Sequence, residues 1–208
     1  MGKRLVQVVG NGDASHFYND EPRWGLKLCC NLPPFPVPDA YASCIVDFKF
    51  MKAMTEGSII CPYQWILGAR PKAWMDSHAG YYMRASKQVK EFYTILPPYA
   101  KNYTDFNCGH MAVHYASWKI KADEVHLWGF DSIFDFNLRS VSDLYLQSAR
   151  DNINNNRLSG NWRPIWEGLF TEFSNVKFVL HHFHDQLKIF NNGKNKPDNV
   201  ILEVHRKK

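Results

Sequence analysis

Residues 5–12 read LVQVVGNG, a short valine-rich run that ends in the turn Gly10-Asn11-Gly12. The run predicts a buried strand, and the two glycines predict a tight turn at its carboxyl end. Glycine has no side chain, so its backbone can lie very close to a neighbouring group or a bound molecule. The opening stretch therefore predicts a first strand followed by a loop that is either a plain turn or part of a binding site.

The rest of the chain alternates strand-like and helix-like segments. Further strands are predicted at 26–30, 43–48, 58–61, 124–128 and 176–180, and helices at 49–56, 85–93, 108–120, 141–152 and 166–173. Strands separated by helices are typical of a largely parallel sheet with helices on both faces. The length of 208 residues also suits one hydrophobic core. We therefore predict an α/β fold, with a single Rossmann-like, mostly parallel, doubly wound sheet in one domain that covers 1–208.

Two segments depart from this alternation. Residues 64–106 are rich in aromatic residues and contain the Pro97-Pro98 break, which predicts an irregular flap over the site. Residues 187–190 and 200–204 flank Asn192-Gly193, which predicts a C-terminal hairpin over about 186–208.

Composition narrows the class of protein. No stretch approaches the roughly 20 apolar residues of a membrane helix, and Met-Gly-Lys-Arg leads directly into the first predicted strand rather than into a signal segment. We therefore expect a cytoplasmic protein with no membrane span.

The five cysteines are odd in number and form no C-x-x-C pair, which predicts reduced, buried thiols. The net charge of +5 favours phosphorylated ligands or nucleic acid, but only weakly.

Polar residues follow several of the predicted strands. They are Gly10-Asn11-Gly12, Asn31, Asp47, Asp131 and the run His181-His182-Phe183-His184. Because ligands of doubly wound sheets bind beyond the carboxyl ends of the strands, these residues together predict a site at one edge of the sheet. The first turn fits no standard label, since Ser15 replaces the third glycine of a dinucleotide fingerprint and the lysine of a P-loop is missing.

The order of these patches resembles a known family. Gly10-Asn11-Gly12, Cys30-Asn31, Cys108-Gly109 and the run EVHLWGFD at 124–131 are similar to bacterial sialyltransferases that modify surface lipooligosaccharides, and to phage and bacterial glycosyltransferase-like proteins with the same nucleotide fold. The resemblance spans roughly 5–131 in short patches. It implies a cytidine monophosphate sugar as donor. It also implies a nucleotide-binding set formed by Gly10, Asn11, Gly12, Asn31, Cys108, Gly109 and Gly129, with Asp131 helping to shape the site.

Histidines are the candidate catalytic groups. His182 and His184 would point to the same face of a continuing strand, and histidine titrates close to neutral pH, as a base for an acceptor hydroxyl should. Two other interpretations stay open, a purely structural role and a metal site joined by His110 and His114. The chain has no Asp-x-Asp pair, so we expect no metal and no cofactor other than the nucleotide-sugar substrate. Candidates by position alone for holding phosphate are Arg139, Tyr145, Arg150 and Arg163.

The leading hypothesis is a glycosyltransferase-like enzyme with catalytic residues His182, His184 and Asp131. Its acceptor hydroxyl is undefined. Nucleic acid is a possible acceptor because basic and aromatic residues are interleaved in the predicted flap. Asp13 stands where the family usually has proline and Cys108 where it often has serine, so a non-catalytic protein that binds or sequesters a nucleotide is the first alternative. A magnesium-dependent pyrophosphate-transferring enzyme is the second.

Overall fold

The computed structural model describes residues 2–20, 23–134, 152–185, 190 and 194–206. Eight strands form one sheet in the order β5-β4-β3-β2-β1-β6-β7-β8. All seven neighbouring pairs are parallel. The strands are β1 (Leu5–Val9), β2 (Leu26–Cys30), β3 (Ala40–Ile45), β4 (Trp65–Leu67), β5 (Val89–Phe92), β6 (Glu124–Trp128), β7 (Lys177–His182) and β8 (Val200–Val204). The predicted α/β class with a Rossmann-like, doubly wound parallel sheet is confirmed.

Helices cover both faces of this sheet. The described helices are α1 (Phe48–Thr55), α2 (Ala69–Ser77), α3 (Ala79–Ala85), α4 (Cys108–Trp118) and α5 (Asn152–Glu172), with 3-10 helices at Asp13–Asp20, Ser86–Gln88 and Asp131–Ile133. Successive residues of one strand pack into different cores: Val8 packs with α4 and α5, whereas Val9 packs with the 3-10 helix Asp13–Asp20. Because side chains alternate across a strand, this division places the two cores on opposite faces.

The winding of the chain reverses between β1 and β6. From β1 the chain winds outward to β5, and α4 then returns it to β6, which pairs with the other edge of β1. Loops after β1 and β6 therefore leave the sheet in opposite directions. In open parallel sheets the position beside two such loops, the crevice of the fold, is the usual ligand site.

Several predicted segments differ from the observed ones. The helix predicted at 85–93 is wrong, because α3 ends at Ala85 and β5 follows a single 3-10 turn. The strand predicted at 58–61 is also wrong, since the fourth strand is Trp65–Leu67. The segment 64–106 is only partly irregular, because β4 and β5 extend the sheet and α2 and α3 lie between them.

The C-terminal segment differs from the predicted hairpin. Val200–Val204 is a strand, but it pairs in parallel with β7 instead of turning back on a preceding strand. Of the proposed partner at 187–190, only Phe190 lies within the described residues, and it is in a turn. The helix predicted at 141–152 likewise lies outside them except for Asn152, where α5 begins.

The five cysteines are free, and four of them are buried, as predicted. Among the helices that the structure describes, none has the length and apolar character needed to cross a membrane.

Candidate functional site

The turn after β1 is packed tightly against the loop after β6. Gly10 N donates to the Trp128 carbonyl at 2.7 Å, and Gly12 N donates to the Gly129 carbonyl at 2.9 Å. A Cβ atom on Gly12 would lie only 2.0 Å from Asp131 Oδ2. Gly129 itself has a φ of 76°, in the left-handed region that favours glycine. The glycines are therefore needed for contact between the two loops.

Asp131 connects three parts of the crevice. Its Oδ2 atom accepts the Ala14 amide at 3.0 Å, at the start of the 3-10 helix Asp13–Asp20. Its Oδ1 atom lies 2.6 Å from His184 Nε2, just beyond β7. The side chain is buried, with 7% of the residue exposed. Asp131 and His184, both predicted as catalytic, are thus brought into direct contact.

The contact defines which nitrogen of His184 is free. A carboxylate only accepts hydrogen bonds, so His184 carries its proton on Nε2 and leaves the Nδ1 lone pair available. The side chain is 17% exposed, which allows access. This is the arrangement of a base whose imidazole is oriented by a buried carboxylate.

His182 has a supporting position. Its ring stacks on Phe134 with 4.0 Å between centroids, and its Nδ1 atom accepts the His184 amide at 3.2 Å. The rings of His182 and His184 are nearly parallel, in agreement with the predicted shared face. Burial, with a smaller contribution from His184, lowers the pKa of His182 to about 4. His182 is therefore neutral near pH 7 and orients the chain leading to His184.

Two asparagines at strand ends present unsatisfied oxygens. Asn11 Nδ2 donates to the Cys30 carbonyl at 2.9 Å, while its Oδ1 atom is buried without a partner. The Oδ1 atom of Asn31 is likewise unpartnered. Asn31 has a φ of 52°, which asparagine tolerates better than most residues. Because buried polar atoms are nearly always hydrogen-bonded, these two oxygens are candidate acceptors for N–H or O–H groups of a ligand.

The amino end of α4 adjoins the same crevice. Asn107 caps the helix by accepting the His110 amide at 3.0 Å. Gly109 lies against Phe130 of the β6 loop, where a Cβ atom would be 2.5 Å from that ring. The predicted residues Cys108 and Gly109 therefore form the first turn of a helix that starts next to the β6 loop.

Other predicted positions have structural roles. Asp47 caps α1 by accepting the Lys49 amide at 2.9 Å. His110 is fully buried, and burial lowers its pKa to about 3. His114 makes a 2.7 Å hydrogen bond with the Tyr93 hydroxyl. Where the chain is described, no three His, Cys, Asp or Glu side chains are grouped as a metal site.

The arginine and tyrosine candidates for phosphate fall in two groups. Arg139, Tyr145 and Arg150 lie outside the described residues, and Arg163 is in α5. Of the aromatic residues at 64–106, Trp65 and Tyr93 lie in the core, with only 2% and 4% of each residue exposed.

Sequence reasoning missed His126 and His205. They are hydrogen-bonded through His181 on the face of the sheet opposite to His182. The spacing of Glu124, His126 and Trp128 at every second residue of a strand is the signal that could have placed these polar side chains on one face.

Comparison of this chain with protein-family models, with curated proteins and with solved structures finds no match in any of the three.

Proposed function

We propose that this protein transfers a sugar from a nucleotide donor to an acceptor hydroxyl, with His184 as the general base. The observation that supports this proposal best is the 2.6 Å contact between His184 Nε2 and buried Asp131 Oδ1 at the crevice between β1 and β6. A histidine held in this way has the free nitrogen required to deprotonate a hydroxyl.

The donor would bind beside the side chains of Asn11 and Asn31, which follow β1 and β2. The Oδ1 atoms of Asn11 and Asn31 have no partner in the protein and can accept hydrogen bonds from a ligand. Suitable donors are the hydroxyl groups of a ribose or sugar and the amino group of a base. These atoms follow adjacent strands β1 and β2. A nucleoside is the class of ligand that offers several such donors at short spacing.

The phosphate would lie at the amino end of α4 rather than on the first turn. The amides of Gly10, Gly12 and Ala14 donate to Trp128, Gly129 and Asp131, so they are already used within the protein. The Asp131 carboxylate would also repel an anion placed there. The first turn of α4, which begins at Cys108 and Gly109, has the positive end of a helix dipole, where an anion is stabilised.

The reaction is a displacement at the anomeric carbon. His184 Nδ1 takes the proton of the acceptor hydroxyl as its oxygen forms the new bond to the sugar. The bond from the sugar to the phosphate oxygen breaks, and the electron pair leaves with the nucleotide. Asp131 stabilises the imidazolium that forms. This step uses only side chains of the protein and the two substrates.

Titration calorimetry with cytidine and uridine nucleotides and their sugars tests the binding half of the proposal. We expect binding that weakens when Asn11 or Asn31 is replaced by alanine. No binding at millimolar ligand would contradict it.

Turnover of the bound donor tests the catalytic half. His184→Ala should lower turnover by about 10²–10⁴, the usual contribution of a general base, with little change in donor affinity. His78→Ala is the control, since His78 stacks on Trp74 between α2 and α3. Binding without turnover in the parent protein would favour the nucleotide-sequestering alternative, and turnover abolished by a magnesium chelator would favour pyrophosphate transfer.

A further inference from the structure

Three histidines lie along one face of the sheet: His126 is in β6, His181 is in β7, and His205 directly follows β8. Trp128 of β6 is level with His181 of β7, and His181 is level with Glu203 of β8. His126 is therefore two residues before that level and His205 two residues beyond it. The three rings form a diagonal that rises from the middle of β6 to the carboxyl end of β8.

Continuous hydrogen bonds join these rings to a carboxylate. Glu124 Oε1 lies 2.7 Å from His126 Nε2. His126 Nδ1 lies 2.8 Å from His181 Nε2, and His181 Nδ1 lies 2.8 Å from His205 Nε2. Every contact thus joins the Nε2 atom of one ring to an acceptor on the preceding group.

The carboxylate gives the chain a direction. Glu124 also bonds Lys3 and Lys177, and these partners together with His126 lower its pKa to about 2 in spite of its partial burial. An ionised carboxylate cannot donate a hydrogen bond, so His126 must be protonated on Nε2 and accept at Nδ1. His181 must then donate from its Nε2 atom to His126, and His205 from its Nε2 atom to His181. The chain leaves the Nδ1 atom of His205 as its one free lone pair.

Packing holds the central ring in place. The His181 ring stacks on Trp128 with 3.4 Å between centroids and 7° between planes. The Trp128 indole N–H in turn donates to Gln7 Oε1 at 2.8 Å. At the outer end, the His205 ring stacks on Phe17 of the 3-10 helix Asp13–Asp20 at 4.6 Å.

We propose that Glu124, His126 and His181 hold His205 in the tautomer that is protonated on Nε2, which makes His205 Nδ1 the base of a second site that accepts a proton from a bound hydroxyl. This site lies between the end of β8 and the 3-10 helix Asp13–Asp20. In this scheme His126 and His181 are positioning residues, and His205 is the residue that touches the substrate.

The proton transfer at this site is a single balanced step. The hydroxyl gives its proton to His205 Nδ1 and keeps the electron pair. His205 then carries a positive charge, and its Nε2 proton stays hydrogen-bonded to His181 Nδ1. The ionised Glu124 carboxylate at the far end of the chain stabilises that charge. When the reaction is complete, His205 returns the proton from Nδ1 to the leaving group or to water.

Burial of the central ring suits this role. His181 is 6% exposed, and burial, followed by the neighbouring His126 and His205, lowers its pKa to about 2. A ring that resists protonation stays neutral near pH 7, so it donates from Nε2 to His126 and accepts from His205 at Nδ1. The charged and titratable groups on the same side as the chain are Lys3, Lys177, Arg23, Asp20, Glu203 and His16, and His182 acts on His181 from the opposite face of the sheet.

The chain from Glu124 to His205 is separate from the Asp131–His184 pair. Successive residues of β7 point to opposite faces, so His181 packs on Trp128 while His182 packs on Phe134. The proposal therefore does not depend on sugar transfer, and its test needs no donor or acceptor.

Nitrogen-15 NMR of the histidine rings tests the direction of the chain. In the parent protein at pH 7.5, His126, His181 and His205 should all be protonated on Nε2, with ring N–H protons that exchange slowly with solvent. His181→Phe keeps a ring on Trp128 but removes both nitrogens, so the slow Nε2 proton of His205 should be lost. A mixture of tautomers at His126 or His205 in the parent protein would overturn the proposal.

A pH titration tests the coupling to Glu124. Glu124→Gln removes the charge that attracts the shared proton, and the apparent pKa of the chain should fall by about one unit, a tenfold change in proton affinity. Glu203→Gln is the matched control, because it removes a carboxylate beside His205 that is outside the chain. It should shift His205 alone. An unchanged titration of His181 and His205 in Glu124→Gln would overturn the proposal, and this result stands even if His181→Phe does not fold.

Discussion

At the scale of single residues, Asp131 holds two different parts of the site with its two carboxylate oxygens. Its two oxygens accept from Ala14 and His184. Asp131→Asn keeps the shape, but one of the two acceptor atoms becomes a donor, so either the helix start or the imidazole loses its partner. We expect turnover to fall by about 10²–10⁴ with donor affinity nearly unchanged, as for other bases that lose an orienting carboxylate. Steady-state kinetics with calorimetry measures both quantities.

Asp47→Asn is the matched control for this change. Asp47 also follows a strand, but it caps α1, and asparagine caps helices about as well as aspartate. Turnover and thermal stability should therefore stay close to the parent values. Equal losses in both variants would show that the effect is not specific to the Asp131–His184 contact.

At the scale of elements, the contact between the β1 and β6 loops depends on Gly12. In Gly12→Ala the new methyl group would meet Asp131 Oδ2 at 2.0 Å and the Gly129 carbonyl at 2.7 Å. Backbone cannot move away cheaply, so we expect a loss of about 1–3 kcal/mol in the free energy of unfolding, as for other overpacked sites. Urea denaturation measures this loss, and turnover should fall as well because Asp131 is displaced.

Gly160→Ala provides the comparison for that substitution. Gly160 lies in α5, and a Cβ atom there has no neighbour within 4 Å. Alanine is the better helix former, so this variant should be as stable as the parent or more stable by up to about 1 kcal/mol. If Gly12→Ala were equally harmless, the contact between the β1 and β6 loops would not depend on a glycine at this position.

Some elements could be predicted from sequence because their pattern is local. β6 at Glu124–Trp128 follows directly from its alternation, and the carboxyl-end position of Asn11, Asn31 and Asp131 follows from the parallel sheet. β5 was missed because Val89–Phe92 is a half-buried edge strand of four residues, which a helical pattern fits equally well. Asp131 and His184 were both predicted as catalytic, but their direct contact could not be predicted, since 53 residues separate the partners and only the order of the strands brings them together.

At the scale of the whole molecule, buried histidines make the fold sensitive to mild acid. Burial lowers the pKa of His110 to about 3, of His181 to about 2 and of His182 to about 4. In the unfolded chain these rings titrate near pH 6.5. Between pH 6.5 and about 4 the unfolded state therefore binds protons that the folded state does not, and stability falls as the pH falls.

The slope of this loss is about 1.4 kcal/mol per pH unit for each buried histidine, so the free energy of unfolding should fall steeply from pH 6.5 to 5. Carboxylates contribute at lower pH: the lowered pKa of Glu124 supports the fold until the pH drops below the usual range for glutamate.

Urea unfolding at pH 7.5, 6.5 and 5.5 measures the slope. His110→Phe keeps an aromatic ring against Trp166 at a position where the parent rings are 4.4 Å apart, and it should reduce the slope by the share of one histidine. Equal stability at pH 7.5 and 5.5 would contradict the burial of these rings, because a histidine that is exposed in the folded state titrates alike in both states and adds no pH dependence.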